Sequence, residues 1–222
     1  MQSVIGRLDD SVMRMIEDSV DESSKSCPHN KRAYDLTKPH LQGGGVGDSS
    51  KSGSNIKGKG STMAVEKVKE YFRMFDLEDR ILEFDVSSAT VELAAQAVGC
   101  EPAKIVKTLS FKVDDQPILI ACAGDTKIAN PKYKAEFGQK AKMLTPEEAV
   151  ELIGHAVGGV CPFAINDGVK VYLDESIRRF DTVYPAAGSD NSAIGLTPDE
   201  LEKYSQGFAK WVDVCKGWND QI

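Results

Sequence analysis

The chain is poor in the residues that most hydrolytic and redox centres are built from. It carries three histidines in 222 residues, and only His155 lies beyond residue 62. Its five cysteines (Cys27, Cys100, Cys122, Cys161 and Cys215) are widely spaced, with no C-x-x-C pair and no Cys/His cluster. That excludes a zinc-ligand pattern and a disulfide framework, and it fits reduced thiols. No G-x-S-x-G elbow, H-E-x-x-H pair or nucleotide-binding G-x-x-x-x-G-K-[ST] occurs; Lys59 follows Gly58 but precedes Gly60. No apolar run approaches the roughly 20 residues needed to cross a bilayer, and the start lacks the short apolar core of a secretory signal. The cytoplasm is therefore the expected location, with no membrane partner and no metal or cofactor implied.

An excess of positive charge is missing too. The net charge is −7, and it is unevenly placed: nine basic against eight acidic residues before Met63, 18 against 26 from there onward. An acidic domain does not grip long stretches of nucleic acid through phosphates, so any nucleic-acid partner must be held locally.

What is present divides the chain in two. Residues 1–62 contain one short amphipathic pattern (Leu8, Val12, Met15, Ile16). A segment with seven glycines and five serines follows between Gly43 and Thr62. This reads as a flexible leader or tag and linker, ending ahead of a second start methionine at Met63. Residues 63–218 read as one folded domain, and 219–222 as a tail.

In the folded part, Val65, Val68, Phe72 and Phe75 place an apolar stripe on a first helix. Arg80–Phe84 reads as a short strand. Ser87 or Ser88 would cap a helix ending at Val98, with Gly99 as its stop. Thr108–Val113 and Pro117–Ala123, joined by Asp114-Asp115-Gln116, read as a hairpin whose second arm is apolar on both faces and hence central. Asn130–Phe137 is a weaker helix. Thr145-Pro146-Glu147-Glu148 and Thr197-Pro198-Asp199-Glu200 are capping boxes. Val169–Leu173, Thr182–Tyr184 and Trp211–Cys215 complete the strands. The expected class is α/β of the mixed α+β kind: a mixed, partly barrel-like sheet surrounded by helices.

Two loops stand out. Gly154–Phe163 carries Gly158-Gly159 with Pro162 close behind, a backbone able to bend tightly and lie against a ligand. Pro185–Ala193 is built of small residues and offers Ser189, Asn191 and Ser192 as hydrogen-bonding groups, or as ordinary turn chemistry. Paired carboxylates at 114–115, 147–148 and 199–200 belong to a turn and two caps. Arg178-Arg179 is the one compact basic pair outside lysine-rich helices, a phosphate contact or a solvated pair.

Lys107-Thr108-Leu109-Ser110-Phe111, Gly158-Gly159-Val160-Cys161-Pro162-Phe163 and Tyr184-Pro185-Ala186-Ala187-Gly188-Ser189 occur in that order. Together they resemble the YbaK/ProX family of aminoacyl-tRNA deacylases, relatives of the editing domain of bacterial prolyl-tRNA synthetase. The resemblance covers nearly all of 63–218. It implies hydrolysis of the ester joining a wrong amino acid (a small one such as Ala, Cys or Ser, on proline tRNA) to the tRNA 3′ acceptor end. Prolyl-tRNA synthetase is then a possible partner, and the protein a monomer or homodimer. It also implies that Lys107 is needed for activity and that Gly158–Pro162 shapes the amino-acid pocket, with Gly188, Ser189 and Asn191 facing it. The alternative is a binding module that kept the fold without turnover.

His155 reads equally as a proton relay or substrate contact and as a cap on helix-end carbonyls. Cys161 reads as a small pocket-lining residue rather than a nucleophile, because its neighbours are apolar. In one respect the chain departs from the resemblance. Many relatives continue P-F-G, whereas Ala164 follows Phe163 here, which costs stability if that position takes a positive φ.

Overall fold

A computed structural model describes residues 59–218, with side chains from Met63. The expectations for 1–58 and 219–222 lie outside the described residues.

The first helix, α1 (Lys59–Arg73), buries Val65, Val68 and Phe72 as its spacing predicts. It starts ahead of the expected boundary at residue 62. Phe75 lies beyond its end and stays 40% exposed, because the chain turns at Asp76 with a positive φ of 56°. Phe72 is fully enclosed and stacks edge-on against Phe163 at 4.8 Å. Burying a ring of that size contributes about 3 kcal/mol.

β1 (Ile81–Glu83) is followed by α2 (Val91–Val98), closed by Gly99 in the left-handed conformation at φ 79°. Its cap is Thr90, whose hydroxyl accepts from Leu93 N at 3.2 Å, and not Ser87 or Ser88. Ser88 is committed elsewhere: its hydroxyl donates to Asp190 O at 2.9 Å.

β2 (Ile105–Val113) and β3 (Gln116–Ala123) form the expected hairpin. Asp114 and Asp115 both adopt positive φ (47° and 61°), the twist a two-residue connection between right-twisted strands requires. β4 (Lys127–Ile128), α3 (Asn130–Phe137), α4 (Pro146–Leu152) and β5 (Lys170–Asp174) follow. After them come β6 (Tyr184–Pro185), β7 (Ser192–Ile194), α5 (Pro198–Tyr204), β8 (Phe208–Val212) and β9 (Cys215–Lys216). Both capping boxes are formed in full, at Thr145–Glu148 and Thr197–Glu200. The last expected strand is in fact two: β8 joins the main sheet and β9 pairs with β4.

The main sheet runs β6-β2-β3-β5-β8, antiparallel between β2 and β3 and parallel elsewhere. It curls into the expected half-barrel with helices around it. β3 is central and covered on both faces. Leu119 and Ala121 enter one core with Phe72, Ile153, Phe163 and Leu173; Ile118, Ile120 and Cys122 enter another with Phe111, Tyr133 and Val214. Among the described residues no helix is long and apolar enough to cross a membrane, and no group of three or more His, Cys, Asp or Glu could hold a metal ion.

Candidate active site

A cavity of about 240 Å³ opens beside β2. Every residue from Ile105 to Ser110 borders it. Successive residues of a strand face opposite sides of the sheet, so a hollow that touches all six meets the strand along its edge. The opposite wall comes from Ser88–Val91 and Ala94 around the start of α2, and from Ala186, Ser192 and Ala193 of the β6–β7 hairpin. Gly158 and Val160 close one side; Met143 and Val157, 57% and 67% exposed, stand at the mouth.

The two loops singled out from sequence meet each other. A Cβ placed on Gly159 would lie 2.6 Å from Gly188 O and 2.7 Å from Ser189 Cα. Gly188 in turn has a φ of 93° and backs onto Ala64 O. The hairpin tip is tied to the segment after β1: Asn191 Nδ2 donates to Phe84 O at 2.9 Å, and Phe84 N to Asn191 O at 2.8 Å. Ser189 Oγ donates within the tip, 2.7 Å from both Asn191 Oδ1 and Ser192 Oγ.

Of the residues expected in the site, Lys107, Gly158 and Val160 border the cavity. Gly159, Cys161, Pro162, Gly188, Ser189 and Asn191 do not; they brace the two loops from behind. His155 also lies behind the loop, 1% exposed. Its Nδ1 is 3.2 Å from Gly159 O and its Nε2 is 3.4 Å from Ala164 O, so either tautomer has a carbonyl to donate to. Burial lowers its pKa below the ordinary value, outweighing the two carbonyl contacts. It fastens the ends of the loop and does not border the cavity.

Cys161 packs 3.3 Å from the same imidazole and is fully enclosed. Burial pushes its thiol up to about 12, which leaves no thiolate at neutral pH. Ala164 has a φ of 49°, the left-handed backbone that makes alanine costly there. Arg179 is paired with Asp125, and Arg178 contacts Glu175 and lies over the Trp211 ring, so the basic pair is engaged within the domain.

The Lys107 amine donates to Gly124 O at 3.1 Å and to Thr126 O. An ammonium has three N–H groups, and two carbonyls occupy two of them. The turn that supplies these acceptors is itself fixed by Thr126 Oγ1, which donates to Ala123 O at 2.8 Å.

The residue that sequence reading passed over is Thr108. It borders the cavity, yet its buried hydroxyl has no hydrogen-bond partner among the described residues.

Residues 86–204 match the family described as the aminoacyl-tRNA editing domain. That stretch contains the whole cavity wall. The chain belongs to the aminoacyl-tRNA editing domain family. A relative from Bacillus subtilis (strain 168), the uncharacterized protein YwhH, is 51% identical over 158 residues, spanning 70% of this chain and 99% of that protein. The proline–tRNA ligase of Lactiplantibacillus plantarum is 28% identical over 126 residues, 56% of this chain but 22% of the ligase. Among solved structures, one provisionally described as a trans-editing enzyme for prolyl tRNA synthetase superposes with a TM-score of 0.63 at 30% identity. That match covers 69% of this chain and 98% of the other. In this editing domain the cavity is thus built by the family's own segment and not by an addition to it.

Proposed function

We propose that this editing domain acts in trans as an aminoacyl-tRNA deacylase, hydrolysing the ester that joins a small, uncharged amino acid to the tRNA 3′ end. The likeness to proline–tRNA ligases supports proline tRNA as the carrier, and the size of the cavity supports Ala, Cys or Ser as the amino acid. The observation that carries the reading is the cavity: about 240 Å³, with Lys107 its one ionic side chain among the described residues. Walls that are apolar apart from Lys107 suit a small side chain and leave a cationic one without a counterion.

An aminoacyl ester needs little activation. Water's oxygen bonds to the carbonyl carbon, the bond from that carbon to the ribose oxygen breaks, and the ribose oxygen takes up a proton from the attacking water. Positioning and polarisation of the carbonyl are enough for catalysis of this kind. Lys107, with one N–H left over, is the cation beside the ester.

The test is release of free amino acid from a panel of mischarged tRNAs by the wild type, Lys107→Ala and Lys107→Arg. Turnover of alanyl, cysteinyl or seryl tRNA above buffer, lost in Lys107→Ala, supports the reading. No turnover of any member, or an alanine variant as active as wild type, overturns it. One observation favours a second reading, a binding module without turnover: the Lys107 amine already has two main-chain acceptors. Calorimetry with an amide-linked aminoacyl-adenosine, read beside the turnover assay on the esters, separates the two: tight binding of the amide with no turnover of any mischarged tRNA belongs only to the module.

A further inference from the structure

Among the described residues the outer edge of β2 is paired at both ends and open in the middle. At one end β6 pairs in parallel with Ile105 and Val106. At the other, Leu144 N donates to Ser110 O at 3.1 Å and Lys112 N to Lys142 O at 2.9 Å, with Phe111 bridging Met143. Main-chain groups of alternate residues point to the same side of a strand. Since Val106, Ser110 and Lys112 face this outer edge, so do the N–H and C=O of Thr108.

Neither flanking segment can reach them. Beyond Pro185 the chain turns away, and Ala186 bridges Ala193 of its own hairpin. On the other side, the register set by Phe111 and Met143 brings Pro146 opposite Thr108. Pro146 has no N–H to give and opens α4. The gap is therefore written into the chain, and the cavity lies against it.

We propose that the aminoacyl group of the substrate fills this gap as a one-residue strand, paired antiparallel with Thr108. Resting on the deacylase reading, this names the part of the substrate that is recognised: an L-α-aminoacyl group with a free amino group. The ammonium donates to Thr108 C=O, and the ester carbonyl accepts from Thr108 N–H, as a directly opposed residue does in an antiparallel ladder. An L-residue in that place turns its side chain to the face of the sheet that carries Val106, Thr108 and Ser110. A D-residue turns it to the face of Lys107 and Leu109. An acylated nitrogen loses the charge and brings bulk against the Thr108 carbonyl.

Amide exchange with and without 3′-deoxy-3′-(L-alanylamino)adenosine tests this, with binding followed by calorimetry. In the free protein the Thr108 amide should exchange much faster than those of Lys107 and Leu109, which pair with β3. Saturating probe should slow it by about tenfold or more, the worth of one hydrogen bond to a polarised carbonyl. The D-alanyl and N-acetyl forms should bind at least about tenfold more weakly. A Thr108 amide already slow in the free protein overturns the inference. So does a bound probe that leaves it unchanged, or equal binding of the three forms. If mischarged tRNA is hydrolysed through Lys107 but the probe does not bind, the pairing falls and the deacylase reading stands. Protection of Thr108 without any turnover does the reverse. Neither binding nor turnover removes both.

Discussion

Gly159 and Gly188 meet backbone to backbone, so closely that a Cβ on Gly159 would lie 2.6 Å from Gly188 O. The contact joins the two loops that flank the cavity, and no side chain can be fitted between them. Gly159→Ala should therefore destabilise the domain by about 1–3 kcal/mol, the usual range for overpacking. Urea unfolding measures it, and an unchanged midpoint would mean that the loops are not in contact.

Ala164 holds a φ of 49° with a side chain that disfavours it. The left-handed backbone costs a non-glycine residue roughly 1–2 kcal/mol, against about 0.5–1 kcal/mol for the extra freedom glycine loses on folding. Ala164→Gly should raise stability by roughly 0.5–1 kcal/mol on that balance. A drop in the unfolding midpoint would refute it.

His155 gives the domain a pH dependence of definite sign. Its folded pKa is below the ordinary 6.5, chiefly because burial penalises the charged ring. Between those two values the unfolded chain binds more proton, so stability falls as pH falls through that window and is flat above it. Thermal or urea midpoints at a series of pH values should show this, and His155→Gln should remove that share of the slope. A midpoint that rises on acidification across the same window contradicts the placement of the ring.

Cys161 should be inert. With its thiol up at about 12 and no exposed surface, iodoacetamide at neutral pH should leave it unmodified in the folded protein. Peptide mapping after labelling decides this; carboxamidomethyl Cys161 recovered from native protein would place the thiol at the surface.

Ala94 borders the cavity from α2 and is 8% exposed. Ala94→Val takes space from the cavity, and on the proposed deacylase reading from the substrate side chain. It should depress deacylation of cysteinyl tRNA about tenfold more than that of alanyl tRNA, the scale on which one or two methyl groups discriminate in a tight pocket. Equal losses on both substrates would show that the wall does not select by size.

Features that depend on a few adjacent residues were legible in the chain. The capping boxes at Thr145 and Thr197, the left-handed stop at Gly99, the hairpin at Asp114-Asp115 and the two-faced burial of β3 all follow from local chemistry. The failures came from distant partners. Ser87 and Ser88 carry as good a capping signal as Thr90, but Asp190, more than a hundred residues away, takes Ser88. The mixed, half-barrel class was readable from strand patterning, whereas the division of the last strand into β8 and β9 depends on which ladder each half joins. In the site, the proximity of Lys107 to Gly158 and Val160 was readable through the family resemblance. That Ser189 points into its own hairpin, that Asn191 reaches across to Phe84, and that His155 lies behind its loop depends on how distant segments stack. Thr108 was missed because the open edge beside it depends on where the distant Pro146 falls in the register.

The wall formed by Ser88 and the β6–β7 hairpin joins residues 102 apart in the chain. A polypeptide emerging from the ribosome can complete β2, β3 and their helices while that wall is still unmade. The cavity must then be completed late in synthesis, and a chain cut short before Asp190 should retain much of the sheet but lack the wall that Ser192 and Ala193 supply.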